Sequence, residues 1–222
     1  LDCIATAEGH LHHSLKQTAR AMKTATITKD ATILRHLRGW LAESTPADIE
    51  AGRGWYRDAM DYARYLSNEF NVSRKVAAGV ISALSPNNKW ERNKIDAFTV
   101  LQAVRDGLGP EDVKVCTYDA NKRKAFAIAR GDESILRKSP KTYAFAMNVG
   151  ENSSEHVTVD KWHMRACLTS SRKRTQVQES PTAMQYRRIE GLTARLAKRK
   201  GYKGYELQAI IWVTIKRHWE GA

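Results

Sequence analysis

The chain has 222 residues, 42% of them hydrophobic, with a formal net charge of +13 at pH 7 and a pI near 9.8. That length and apolar content suit a folded domain with a buried core and exclude a disordered chain. No run of about 18 apolar residues occurs, which excludes a membrane-spanning helix and a membrane partner, while the charge favours polyanions, nucleic acid first.

Residues 1–29 are rich in Ala and Thr, carry His10, His12 and His13, and read as an N-terminal extension with Met22 a candidate start. The three histidines have no carboxylate or cysteine beside them at helical spacing, so no metal is assigned. From Ala31 the periodicity turns helical, with Ile33, Leu34, Leu37 and Leu41 on one stripe. A second helix is expected from Thr45-Pro46 to Phe70, its first turns weakened by Gly52 and Gly54. Ser73 is a good N-cap for a third helix carrying Val76, Ala77, Val80 and Leu84, and Pro86 stops it. Helices are expected over residues 89–105 and 119–130, with short helical pieces at 134–138 and 140–149.

Residues 157–168 are ambiguous, because the β-branched triplet Val157-Thr158-Val159 leads into a helix-like run. A polar loop follows over 170–178. Ser180-Pro181 reads as N-cap and first helical residue of a helix that Gly201 ends. Leu207, Ile210, Ile211, Thr214 and Ile215 give the last helix a buried face. No alternating strand pattern competes, so the expected fold is all-α. Residues 171–222 hold twelve Lys and Arg against four Asp and Glu, so the positive charge is concentrated late. Cys3, Cys116 and Cys167 stand far apart and form neither a zinc pattern nor a disulfide framework. With no signal peptide at the start, the expected location is the cytoplasm.

The densest chemistry lies in two segments. One is Ser139-Pro140-Lys141-Thr142-Tyr143-Ala144-Phe145-Ala146-Met147-Asn148. The other is Val159-Asp160-Lys161-Trp162-His163-Met164-Arg165. Asp160 stands where a helix begins, so free backbone N–H groups and the helix dipole favour its ionised form. On spacing alone an ordinary N-cap is the favoured reading. Glu91 and Asp96 make a candidate carboxylate pair, though a solvated helix face accounts for them too. Trp90, Trp212 and Trp219 read as core or rim, His163 and His218 as bystanders, and His156 as a neighbour of the cleft mouth.

These segments resemble the helix-hairpin-helix DNA glycosylases of the endonuclease III and MutY type. The family's carboxylate signature V-D-T-H-V-x-R is matched at Val159, Asp160 and Arg165. Its lysine motif G-x-K-T-A-x-x-x-x-N is similar to the run ending at Asn148, with Lys141 at the lysine position. Val80-Ile81-Ser82-Ala83-Leu84-Ser85-Pro86-Asn87-Asn88 looks like the family's L-L-S-A-Q junction. The glycine hairpin L-P-G-V-G is absent; Leu136-Arg137-Lys138-Ser139-Pro140 stands there instead. The C-terminal four-cysteine cluster is also missing. A narrower likeness, through Ser85-Pro86-Asn87-Asn88-Lys89-Trp90, is to phage-encoded glycosylase-like proteins described as α-glutamyl/putrescinyl thymine pyrophosphorylases.

The resemblance implies a two-lobed helical fold with a DNA-binding cleft between the lobes. Residues 30–222 would form one domain, with a core lobe at about 73–168 and a second lobe from 30–72 plus 180–222. It implies a monomeric enzyme that excises a flipped base from double-stranded DNA, with no cofactor. Asp160 would be the catalytic carboxylate and Lys141 an imine-forming nucleophile with lyase activity. Asn87, Asn88, Lys89, Arg137, Lys138, Lys161, Arg165, Arg172, Lys173 and Arg174 would contact DNA. A thymine-modifying transferase on the same fold and a non-catalytic DNA-binding protein are the rival expectations. Host cytoplasm is the setting if the chain is phage-encoded.

Overall fold

The structure, a computed structural model, describes residues 29–221, so the three N-terminal histidines and Met22 lie outside it. About 70% of the described residues are helical and none of them forms a strand, as the all-α expectation required. In chain order the helices are α1 (Asp30–Ala42), α2 (Pro46–Phe70), α3 (Arg74–Leu84), α4 (Trp90–Arg105), α5 (Asp119–Ala129), α6 (Pro140–Glu151), α7 (Lys161–Leu168), α8 (Ala183–Arg199) and α9 (Gly204–Glu220). A 3-10 turn (Glu133–Lys138) precedes α6. None of these helices is long and apolar enough to cross a membrane.

Capping sets the boundaries. Thr45 and Asp48 exchange hydrogen bonds in a capping box, with Pro46 at the first helical position of α2. Ser73 accepts the Val76 N–H at 3.1 Å and starts α3. The start of α8 differs from expectation: its N-cap is Thr182, not Ser180. Gln185 returns a bond to the Thr182 N–H at 2.8 Å. Two otherwise open N–H groups are met there, which Ser180-Pro181 cannot match.

The ambiguous segment becomes an extended run, residues 157–160, followed by α7. Its backbone pairs with side chains of α8 in place of a neighbouring strand. Val157 N–H donates to Glu190 Oε1 at 3.1 Å, and Val159 N–H donates to the Tyr186 hydroxyl at 3.1 Å. The same hydroxyl donates to Val157 O at 2.9 Å. Tyr186 and Glu190 are four residues apart, so one helix face supplies both partners.

The buried apolar residues fall into two clusters. The first joins Tyr56, Ala63 and Leu66 of α2 to Ile81 and Leu84 of α3, with α4, α5 and most of α6 around them. The second joins Ile33, Leu37 and Trp40 of α1 to Met164 of α7, Ile189 and Leu192 of α8, and Leu207 and Ile211 of α9. This division departs from the expected lobes at α2 and α7. Helix α2 packs on α3 as well as on α9, and the contact with α3 draws it into the first cluster. The short α7 points its apolar side at α1 and α9, in the second. Helices α6 and α9 contribute to both clusters: Ala144 of α6 belongs to the second, and Tyr205 and Ala209 of α9 to the first.

Candidate functional site

Asp160 is the N-cap of α7, and its Oδ1 accepts the His163 N–H at 2.8 Å. The preceding residues are clamped by Tyr186 and Glu190, so the carboxylate is held from both sides of its own backbone. Burial pushes the Asp160 pKa above the usual carboxylate range. The His163 and Trp162 N–H groups and the Lys141 and Lys161 charges oppose that shift without cancelling it. The result is an anchored carboxylate with more proton affinity than a surface aspartate.

Lys141 is the second residue of α6 and comes to the same place from the other side. Two adjoining cavities share Ser85, Asn88, Lys89, Lys141, Asp160 and Trp212 in their walls. The larger, about 810 Å³, opens past Asn87, Lys161 and the residues just before α8. The smaller, about 480 Å³, is walled by Trp55, Trp90, Phe145 and Trp212. Its size falls within the range of sites for small organic ligands, ~300–1,000 Å³. Trp55 is its centre: its ring lies 5.4 Å from Trp90, 5.9 Å from Phe145 in a stacked orientation, and 6.2 Å from Trp212.

Polar groups complete the floor of the smaller cavity. The Tyr56 hydroxyl lies 3.2 Å from Thr158 Oγ1 and 3.1 Å from Gln208 Oε1. Asn148, fully buried, donates to Thr158 Oγ1 at 3.2 Å. Asn93 donates to Ile81 O at 3.1 Å, and its own oxygen is buried with no hydrogen-bond partner.

The other sequence-predicted residues divide by position. Asn87 lines the larger cavity with a left-handed backbone, φ 58°, and its amide donates to the Tyr118 hydroxyl at 3.3 Å. Lys89 and Lys161 are exposed in the cavity wall. Asn88 lines both cavities, but its amide is committed to Asp96 Oδ2 at 2.9 Å. Arg137 and Lys138 are exposed in the 3-10 turn ahead of α6, outside both linings, and Arg137 lies 5.4 Å over the Tyr143 ring.

Arg165 does not fit its expected DNA-contact role. It is 6% exposed, lies 4.3 Å from the Trp162 ring centre and 5.6 Å from that of Trp219, two rings that meet edge to face, and is paired with Glu179. A guanidinium so buried and already paired is committed to the fold. Arg172 pairs with Glu43. Lys173 and Arg174 are exposed; Arg174 lines a separate depression beside Arg165 and Trp219. None of the four borders the cavities of Asp160 and Lys141.

Glu91 and Asp96 are not a working pair. Glu91 is at the surface with Lys94, whereas Asp96 is fully buried and accepts from Arg92, Asn88 and the Cys116 backbone. It organises the loop that carries Asn87 and Lys89. His156 meets Glu190 and Tyr143 and borders neither cavity. His163 is buried against Thr193, where burial lowers its pKa to about 4 and keeps it neutral. Among the described residues no cluster of His, Cys, Asp or Glu could hold a metal ion.

Trp55, Tyr56, Phe145, Thr158 and Gln208 were not assigned to the site from the sequence. Gln208 did leave a signal, as the polar residue inside Leu207-Gln208-Ala209-Ile210-Ile211.

The chain belongs to a family of unknown function (DUF7178), whose model matches residues 18–219. It is also similar to the small ribosomal subunit protein uS3 of Dichelobacter nodosus (strain VCS1703A), at 25% identity over 122 residues. That stretch covers 53% of this chain and 51% of the ribosomal protein, so the chain spans about half the length of the curated relative it matches. No solved structure matches.

Proposed function

We propose that this member of the DUF7178 family is a DNA base-processing enzyme, in the first place a glycosylase, that draws an extruded base into the aromatic cavity beside Asp160. The observation that carries the reading is that Lys141 and Asp160, from two different helices, line the same pair of cavities. A base stacked in a duplex is out of reach, so chemistry on it requires extrusion into a pocket of this kind. Aromatic walls compensate the stacking the base loses. Lys89 and Lys161 at the rim, with Arg137 and Lys138 nearby, would meet the flanking phosphates.

When the glycosidic bond breaks, the base leaves with the bonding electrons and the sugar becomes cationic. Asp160 faces that charge as a carboxylate. Its raised proton affinity also suits it to take a proton from the attacking group. Water as that group yields an abasic site. Lys141 would first have to lose its ammonium proton, for which Asp160 is the acceptor at hand; its attack yields a covalent imine and permits strand cleavage.

The transferase reading has one observation in its favour. Two cavities meet at Asp160 and Lys141, so one could hold a modified thymine and the other an amine. The test is a panel of duplexes containing damaged, modified and abasic sites, incubated with the wild type, Asp160→Asn and Lys141→Gln. Asparagine can still cap α7, so Asp160→Asn should bind DNA normally and yield no product. Full activity in that variant would overturn the assignment. Borohydride trapping on abasic DNA should give a covalent band that Lys141→Gln lacks if the enzyme is also a lyase.

A further inference from the structure

Two amides in the smaller cavity are each tied down at one end. Gln208 is 5% exposed and its Oε1 accepts from Tyr56. The phenol has one proton and two oxygen neighbours. An amide oxygen can only accept, so the proton belongs on the Gln208 link, and Thr158 can supply its own hydroxyl proton to the Tyr56 oxygen. Behind them Asn148 donates to Thr158. The row Asn148, Thr158, Tyr56, Gln208 is therefore a directed chain that fixes the Gln208 amide plane.

Among the described residues this leaves Gln208 Nε2 without a hydrogen-bond partner, in a residue that lines the cavity. Asn93 stands behind the same wall: it is 1% exposed, its nitrogen is committed to Ile81 O, and its oxygen is shut away from the cavity. The cavity therefore offers one aimed donor, Gln208 Nε2, inside aromatic walls. A planar heterocycle whose edge carries an acceptor answers it.

We propose that Gln208 is the specificity-determining residue of the cavity, donating from Nε2 to an acceptor on the edge of a nucleobase. Tyr56, Thr158 and Asn148 are positioning residues that aim the glutamine. The inference rests on the base-processing reading for its ligand class but not on any chemistry at Asp160. Binding of a base is therefore the appropriate readout.

The four deoxynucleosides serve as probes, followed by saturation-transfer NMR and by tryptophan fluorescence excited at its red edge, where nucleosides do not absorb. Trp55, Trp90 and Trp212 report directly on occupancy. The wild type should bind with unequal affinities. Gln208→Leu should weaken the preferred nucleoside by about tenfold or more, as loss of one buried hydrogen bond does, and level the ranking. Gln208→Glu keeps an acceptor for Tyr56 and replaces the amide donor by a carboxyl oxygen, so it should reorder the ranking, with a lower melting temperature from the buried carboxyl. Tyr56→Phe frees the amide and should weaken discrimination. An unchanged ranking in Gln208→Leu and Gln208→Glu overturns the inference and leaves base processing standing. No nucleoside binding to the wild type overturns it as well.

Discussion

Gly52 is where helix propensity and packing give opposite signs. A glycine inside a helix costs about 1 kcal/mol relative to alanine, so propensity alone makes Gly52→Ala stabilising. In the structure a Cβ at this position would lie 2.6 Å from both Cα and N of Ile210 and 2.7 Å from its Cγ1. Backbone atoms cannot rotate away, so α2 and α9 must separate along their contact. Overpacking of this kind costs ~1–3 kcal/mol, more where backbone moves. We expect a net loss of about 2 kcal/mol. Gly54 is the internal control: an added Cβ there meets only the tip of Arg57, at 3.8 Å. Gly54→Ala should gain about 0.5–1 kcal/mol. In a chain of this size the two variants should melt roughly 6–12 °C apart, at ~2–4 °C per kcal/mol. Urea and thermal unfolding of the three proteins measure this directly. Equal stability of Gly52→Ala and Gly54→Ala would refute the close approach of α2 and α9. Because α9 also carries Gln208 and Trp212, Gly52→Ala should disturb nucleoside binding too.

Asp48 is 4% exposed; burial alone would raise its pKa, but Arg217 and the Thr45 cap outweigh burial and lower it. Its contribution is present above the unfolded value of about 3.9 and is lost as pH falls through the lower folded value, so the gap between wild type and Asp48→Ala should close in acid. His163, with a folded pKa of about 4 against an ordinary 6.5, stays neutral in the fold while the unfolded chain takes up a proton. Stability is therefore full above about 6.5 and falls by ~3 kcal/mol as pH drops to about 4, and a wild-type stability profile flat across that interval would contradict the assignment. Binding to duplex DNA should weaken with salt at a log–log slope of about 0.9 per neutralised phosphate; an affinity indifferent to salt would remove the electrostatic argument.

The helices were legible because periodicity and caps are local. Thr45-Pro46 and Ser73 mark their helices correctly, and the α9 stripe is buried as written. The start of α8 was misread because Ser180-Pro181 and Thr182 compete within two residues, and only the Gln185 side chain decides between them. Lys141 and Asp160, which line the same two cavities, were picked out by their likeness to a family's motifs. Arg165 was placed on the surface by the same reasoning, since a motif match carries no information on burial. The tryptophan wall was invisible for a related reason. Trp55 and Trp212 sit at the edges of their helices' apolar faces, and whether an edge residue meets a neighbouring helix or a void depends on how helices cross.

The place of the cavity follows from the two cores. Helices α6 and α9 contribute to both clusters, and each delivers side chains where the clusters meet: Lys141 and Phe145 from α6, Gln208 and Trp212 from α9. A seam between two packed bodies is where side chains fill space least completely, so a void walled by tryptophans can persist there without destabilising either core. Asp160 enters the seam through an extended run whose backbone is satisfied by Tyr186 and Glu190. A strand in that place would demand a partner along its whole length. Two side chains from one helix face meet the same N–H groups and leave the end of the run open, so the carboxylate is rigidly held and still reachable from the cavity. Tyr186→Phe removes the bonds to Val157 and Val159 while keeping the ring, and its effect should fall on the position of Asp160 before it falls on the fold.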